Sequence, residues 1–237
     1  MRINWPVIKT LVALVLVGVL YGFGTTRNSQ RNLRGLKVRF VDQNPPFISM
    51  NAVNKMLIQN IDSVTSIVKE TLVLKEVEKR LQENAMIRNA EVFVTVDGIL
   101  TAEIEQRNPV ARVSGSPDYY LDQDGGRMPL SDIYTERVPI ISGSFSDSLA
   151  VAKLLRRIDN DEFMRRSVIG LDIQTGDKID LLLRGVDLKV RFGRPRDIDR
   201  KFRNFKTFYT KALQDSLAKK YQYVDLRFGN QVVATKR

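Results

Sequence analysis

The longest uncharged stretch of the chain limits its fold more than any other feature of the sequence. Thr10–Gly24 has no charged residue, and nine of its residues are Leu, Val or Phe. Each contributes roughly −0.3 to −0.6 kcal/mol in a bilayer centre, so insertion is favourable. Extended to Trp5–Thr26, a helix would reach about 33 Å, enough for a hydrocarbon core of about 30 Å. We therefore predict a transmembrane helix over residues 10–26, after a short cytoplasmic tail, residues 1–9.

A cleaved signal peptide is the alternative for this stretch. Arg2 and Lys9 would supply its basic start, but an A-x-A-like cleavage site is missing, and Gly22–Gly24 is the nearest substitute. We therefore favour an uncleaved anchor. Two basic residues precede the stretch and five follow it within fifteen residues, which opposes the positive-inside tendency. Long domains translocate largely regardless of such charge, so this count does not oppose an expected position of residues 36–237 outside the cytoplasm.

The composition excludes several kinds of site. The 237 residues include no Cys and no His. Disulfide frameworks, thiolate or imidazole zinc sites, cysteine nucleophiles and Ser-His-Asp triads are therefore ruled out, while carboxylates remain available for Ca²⁺, Mg²⁺ or acid–base work. The formal charge of +11 is concentrated in residues 1–35 and 194–220, at +5 and +6. This split disfavours one basic groove for nucleic acid.

The stretch from residue 36 to residue 113 has a β-α-α-β-β pattern, after a polar linker over residues 27–35. Leu36–Val41 alternates as a strand does, and Ser49 is placed to cap a helix. A second helical pattern follows, and then Asp97-Gly98 joins two alternating runs into a hairpin.

Residues 114–237 predict a second, β-rich domain, so the fold class is α+β. Asp147–Arg157 is a short amphipathic helix, and three strand patterns follow between residues 168 and 192. Pro195 suits the first position of a long basic helix. Five apolar residues follow at helical spacing: Ile198, Phe202, Phe205, Tyr209 and Ala212.

Three segments resemble the FtsQ/DivIB family of bacterial cell-division proteins. EIEQRNPVARV (Glu103–Val113) resembles the strand that leaves the family's POTRA module. YYLDQDGGRMPLS with the later VPIISG (Tyr119–Gly143) resembles the opening of its β domain, and YQYVDLRFGNQVV (Tyr221–Val233) resembles its closing strands. Their order covers nearly the whole chain, although the predicted tail is shorter than the family often has.

The resemblance implies a non-enzymatic scaffold without active site, metal or cofactor. Family members sit in the cytoplasmic membrane at the septum and link early and late division proteins. They do so chiefly by binding FtsB and FtsL, two small single-span proteins. A POTRA module, here residues 36–113, would serve recruitment of other divisome components, and the β domain, residues 114–237, would bind the partner. Nucleic acid is not an expected ligand.

Two sets of residues are candidates for partner binding. Arg196, Arg200 and Arg203 share a helix face, and arginine offers bidentate geometry to carboxylates of an acidic partner. A solvated helix face is the equally weighted alternative. The second set is the closing strand: Tyr223, Val224, Asp225, Leu226, Arg227 and Phe228.

The closing strand has two interpretations. As an ordinary sheet member it would place Val224, Leu226 and Phe228 on the core face. As a terminal edge without Pro it would be open to pairing with a partner's strand. The resemblance favours the edge.

Three further hypotheses are weaker. Asp122-Gln123-Asp124 resembles the start of a calcium loop, but Ile133 stands where the distal Glu belongs, so a tight turn is favoured. A POTRA-bearing docking protein for secretion or outer-membrane assembly would be expected to carry repeated units, and no internal repeat is seen. A membrane-anchored cell-wall enzyme would need a nucleophile motif such as S-x-x-K with its companion elements, which is missing.

Overall fold

The computed structural model describes residues 5–29, 33–42, 45–58, 74–214, 220–229 and 231–236. Residues 1–4 of the predicted tail and 30–32 of the predicted linker lie outside these ranges. The chain divides into two compact units, Met1–Gln106 and Arg107–Arg237.

The first helix, α1, spans Trp5–Ser29 and contains the predicted transmembrane stretch. Its large apolar side chains are exposed, including Trp5, Leu14 and Tyr21. Within the described residues, however, no helix meets the combined length and apolarity expected of a membrane span. The transmembrane assignment therefore stays a prediction.

After α1, the described residues of the first unit form a three-stranded sheet with two helices. The elements are β1 (Gly35–Phe40), α2 (Met50–Leu57), α3 (Leu74–Gln82), β2 (Ile87–Val94) and β3 (Ile99–Gln106). The sheet order is β1-β3-β2, with β1 parallel and β2 antiparallel to β3. Their order along the chain is the predicted β-α-α-β-β.

A helix cap and the apolar faces of the two helices explain why these elements form where the sequence predicts them. The Ser49 hydroxyl accepts a hydrogen bond from the Ala52 amide and caps α2, as expected. One face of each helix supplies the core, with Val53 and Leu57 from α2 and Val77 and Leu81 from α3. These side chains pack against the buried residues of the sheet.

The second unit is built on a nine-stranded sheet. Its strands are β4 (Pro109–Val113), β5 (Tyr119–Asp122), β6 (Arg127–Pro129), β7 (Ile140–Gly143), β8 (Val168–Gln174), β9 (Lys178–Leu183), β10 (Lys189–Gly193), β11 (Tyr221–Asp225) and β12 (Val233–Lys236). Its helices are α4 (Ser148–Asp159), α5 (Glu162–Ser167) and α6 (Ile198–Gln214). The strand order is β12-β11-β10-β9-β8-β7-β4-β5-β6.

The boundary predicted between the two domains differs from the one in the structure. The contact-defined units meet after Gln106, whereas the predicted first module runs to residue 113. β4 pairs with β5 and β7, so Pro109–Val113 lies in the second sheet. β3 of the first sheet ends at Gln106, and Pro109 is tolerated as the first residue of the new strand β4.

The long basic helix exists, but it begins later than predicted. α6 starts at Ile198, and Pro195 lies three residues earlier in the turn after β10. Asp197 has a left-handed backbone with φ of 53°, which a continuous helix does not contain. Phe202 and Phe205 of α6 are buried in the core of the second unit.

Candidate partner-binding surface

The predicted binding residues lie in two neighbouring parts of the second unit. Arg196 precedes α6, whereas Arg200 and Arg203 belong to it. Tyr223, Val224 and Asp225 end β11, and the segment Leu226–Phe228 follows. A Cβ added at Gly229 would lie 3.9 Å from Arg200 Nη1, so the first turn of α6 approaches the segment after β11.

β11 is not the edge of the sheet, which corrects the expectation from sequence. It pairs in parallel with β10 and antiparallel with β12. The chain reverses after Phe228 and returns along β11, with Val233 opposite Asp225. Among the strands that the structure describes, β12 is therefore the edge on this side of the sheet.

The two edges of this sheet are protected unequally. β6 has three residues, includes Pro129, and carries Arg127 with its guanidinium 4.2 Å from the centre of the Tyr119 ring. Short length, proline and charge are the features that keep an edge strand from pairing. β12 has four residues (VATK), no proline and one lysine at its end. Val233 on it is exposed.

The residues of β11 and the following segment divide between core and surface. Val224 and Leu226 are buried, in agreement with the core interpretation. Phe228 is 46% exposed and does not join them, so its placement on the core face was wrong. The reason is that the strand ends at Asp225, and the alternation no longer applies beyond it.

Asp225 is the buried partner of an ion pair with Arg227, whose own side chain is 45% exposed. Asp225 is 3% exposed, and the Arg227 Nε donates to both of its carboxylate oxygens at 2.9 and 3.0 Å. The Arg227 amide donates to the same carboxylate at 3.0 Å. Burial alone would raise the pKa of Asp225, but these hydrogen bonds from Arg227 lower it below its ordinary value. Asp225 therefore fixes the Arg227 guanidinium on the surface of the sheet.

Tyr223 lies beside Arg191 of the neighbouring strand. The guanidinium carbon of Arg191 is 3.8 Å from the centre of the Tyr223 ring, which is cation–π geometry. Across the sheet, Arg191 is in register with Asp180 of β9. Burial raises the pKa of Asp180. The positive charge of Arg191 opposes this rise, and the negative charge of the neighbouring Asp172 adds to it.

The three arginines of the helix differ in their surroundings. Arg200 donates to Asp197 at 2.8 Å. Arg196 and Arg203 are exposed, and neither makes an ion pair within the described ranges. Asp199 is bound by Arg157 of α4. The basic face is thus partly neutralised, and its free positive charge is greatest at Arg196 and Arg203.

Lys201 belongs to this region but escaped the sequence prediction. It is 7% exposed, and its ammonium donates to the carbonyl oxygens of Phe192 and Arg194. The signal was present, because Lys201 stands at helical spacing from Ile198 and Phe205 within the apolar stripe. A basic residue within an apolar stripe indicates a buried, partnered charge.

The Asp122 region forms a tight turn. Asp122 is 1% exposed, and its carboxylate accepts from the amides of Asp124 and Gly126 and from Arg107. Because three donors already occupy these oxygens, they are poorly placed to bind calcium. Among the described residues, no group of three or more acidic side chains is arranged to hold a metal ion.

Comparison with known proteins concerns the same unit. Residues 108–235 match a family model described as FtsQ/DivIB, C-terminal related, and this is more than half of the chain. The chain belongs to the FtsQ/DivIB family. It is also similar to the cell division protein FtsQ of Salinibacter ruber, with 29% identity over 159 residues, which cover 60% of this chain and 61% of the relative.

In this FtsQ/DivIB member, the matched range contains every predicted partner-binding residue and most of β12. The chain aligns with about three fifths of the length of its curated relative.

Proposed function

We propose that this FtsQ/DivIB member is a non-enzymatic scaffold of the bacterial divisome. It links early and late division proteins at the septum by binding FtsB- and FtsL-like single-span partners. One observation carries the proposal: the unit that matches the family has an edge strand without proline, β12, which pairs with β11, the strand that leads into Leu226–Phe228. Recruitment of other division components is the role that we propose for the sheet and helices of the first unit, which ends at Gln106, acting as a POTRA module.

Strand addition to β12 is the proposed mode of binding. An extended segment of the partner takes the place next to β12, and main-chain hydrogen bonds supply affinity. Alternate side chains of that segment then meet Val233 and Thr235 on one face and Ala234 on the other. Phe228, exposed near the start of this return, is the proposed apolar contact. Arg196 and Arg203 supply positive charge for an acidic stretch of the partner.

Anchoring in the cytoplasmic membrane is the second part of the proposal. α1 has 25 residues, so it is about 37 Å long at about 1.5 Å per residue. Its exposed apolar side chains need an apolar environment, and Trp5 and Tyr21 suit the two interfaces of a bilayer. The folded units would then stand in the periplasm at the septum.

Site-specific photo-crosslinking in dividing cells tests the mode of binding. A photoreactive residue replaces Val233 on the open edge, and in a matched strain it replaces Arg127 on the protected edge. Both residues are exposed, and they lie on the two opposite edge strands of the same sheet. We expect position 233, and not position 127, to form an adduct with a small single-span division protein.

Equal adducts from both positions would contradict strand addition at β12. Adducts at position 233 only with proteins unrelated to division would contradict the scaffold function itself.

A further inference from the structure

The Lys201 side chain is buried, and its ammonium donates hydrogen bonds to the turn that follows β10. Its Nζ donates to the carbonyl oxygen of Phe192 at 2.8 Å and to that of Arg194 at 2.9 Å, and lies 4.3 Å from the centre of the Phe192 ring. Burial lowers the pKa of Lys201. A lysine is almost never so buried unless it is paired. Its ammonium is therefore unavailable to solvent or to a partner, and its role must be internal.

The turn that Lys201 holds has an unusual backbone. Gly193 and Asp197 both have left-handed φ, of 73° and 53°. Such a conformation persists in a non-glycine residue only when its surroundings impose it. The carbonyl groups on either side of Gly193 converge on the ammonium. If that donor were removed, the carbonyl oxygens of Phe192 and Arg194 would lose the one group that joins them, and Arg194 would keep the local hydrogen bond from the Arg196 amide at 2.7 Å. The turn would then lose the contact that ties it to α6 through a side chain.

The same turn is joined to the segment after β11. A Cβ added at Gly193 would lie 2.8 Å from Cγ of Arg227, so the Arg227 side chain lies directly on the turn. The Leu226 amide donates to the Arg191 carbonyl oxygen at 2.9 Å. A change in the turn would therefore move both Arg196, which the turn carries, and the segment Leu226–Phe228 that rests on it.

We propose that Lys201 is a positioning residue for partner binding, because its ammonium holds the turn Gly193–Asp197 in the conformation that presents Arg196 and Phe228 to the same partner. The inference rests on the proposed function, since it assigns the role of an internal residue at that surface. It adds a residue that makes no contact with the partner and still governs its affinity.

The test compares Lys201→Met with Lys206→Met in the full-length chain in detergent micelles. Methionine keeps the unbranched stem of lysine and removes the ammonium. Lys206 is the matched control, because it lies on the same helix and loses the same charge, yet its ammonium pairs with Asp161 away from the turn. The probe is the purified extracytoplasmic segment of the FtsB-like protein from the same organism.

We expect Lys201→Met to raise the hydrogen exchange of the Arg196 and Leu226 amides and to weaken binding of the probe about tenfold, a coupling typical of neighbouring groups. Arg196→Ala should weaken binding in the wild type and have little further effect in Lys201→Met. A merely structural lysine would not produce this non-additivity. Lys206→Met should leave exchange at both amides unchanged.

Three results would overturn the inference. Unchanged exchange at Arg196 in Lys201→Met would show that the ammonium does not hold the turn. Faster exchange with unaltered affinity would show that the turn does not position the surface. Full additivity with Arg196→Ala would do the same. If Lys201→Met does not fold, Lys201→Gln retains N–H donors, and wild-type affinity together with faster exchange in that variant would also contradict the role.

Failure of the proposed function gives a different result. The wild-type chain would then not bind the probe at all, and the proposed role of Lys201 in positioning the binding surface would be refuted as well. The exchange comparison would still decide whether Lys201 holds the turn.

Discussion

Gly143 illustrates how a single residue fixes the path of the chain in the second unit. It has φ of 86°, and an added Cβ would lie 1.9 Å from the carbonyl oxygen of Ile173 on the adjacent strand. Gly185 has a similar φ of 73°, but nothing lies within 4 Å of its added Cβ. The two glycines therefore separate the cost of a left-handed backbone from the cost of a steric clash.

The first prediction uses this pair. Gly185→Ala should lower the free energy of unfolding by about 1 kcal/mol, the cost of the backbone conformation alone. Gly143→Ala should cost about 3 kcal/mol or more, because two strands must also separate. Urea denaturation of both variants measures the difference. Equal losses would contradict the close approach of β7 and β8.

Phe228 allows binding to be separated from stability. Because its side chain is half-exposed, Phe228→Ala should leave the melting temperature nearly unchanged. If Phe228 is an anchor, its loss should weaken binding of the FtsB-like segment by about 2 kcal/mol, roughly thirtyfold. Leu226→Ala is the control, since Leu226 is buried and its loss should cost about 2–5 kcal/mol of stability. A lowered melting temperature for Phe228→Ala with undiminished affinity would refute the anchor.

Asp225 predicts a pH dependence of stability with a definite sign. Hydrogen bonds from Arg227 outweigh burial and lower the pKa of Asp225 in the folded chain. Its contribution is therefore fully present above the unfolded value near pH 4, and is lost as the pH falls through the lower folded value. Asp225→Asn should reduce stability at pH 7 by about 1–3 kcal/mol and flatten its decline below about pH 4. Thermal unfolding between pH 2 and pH 7 measures this difference. If the stability of Asp225→Asn falls with pH as steeply as that of the unmodified chain, Asp225 is not responsible for the decline.

At the scale of elements, the sequence predicted most helices and strands because their signals are local. A serine cap, an Asp-Gly turn and alternating residues each act within a few positions, and α2, α3 and the β2–β3 hairpin formed accordingly. α5 was missed because six residues carry too little periodicity. The edge position was misassigned because strand neighbours are set by long-range pairing, and β12 was not recognised as covering β11.

The basic face of α6 carries the prediction that belongs to this scale. Arg196→Glu with Arg203→Glu should slow association with an acidic partner and reduce the dependence of the on-rate on salt, because exposed charges act mainly on encounter. Arg200 is left unchanged because it binds Asp197. Arg165→Glu, an exposed residue of α5, is the control and should have a smaller effect. Stopped-flow measurements at low salt that show equal on-rates would leave these arginines as solvated surface.

For the whole molecule, the two units and α1 must be consistent with one topology. A scaffold that meets single-span partners in the periplasm needs its folded units on that side and an anchor that stays attached. The missing cleavage site and the exposed apolar side chains of α1 both favour such an anchor. The basic residues that follow the apolar stretch oppose it only weakly, since long domains translocate largely regardless of local charge.

The last prediction concerns this topology. Protease added to spheroplasts should remove the folded units of the full-length chain, while a cytoplasmic protein in the same cells stays intact. If the anchor is uncleaved, the purified chain should still contain residues 5–24, which N-terminal peptide mapping detects. Protection of residues 107–237 from the protease would place the second unit in the cytoplasm. A chain starting near Thr25 would instead identify the apolar stretch as a signal peptide, and the periplasmic units would then need another means of reaching the septum.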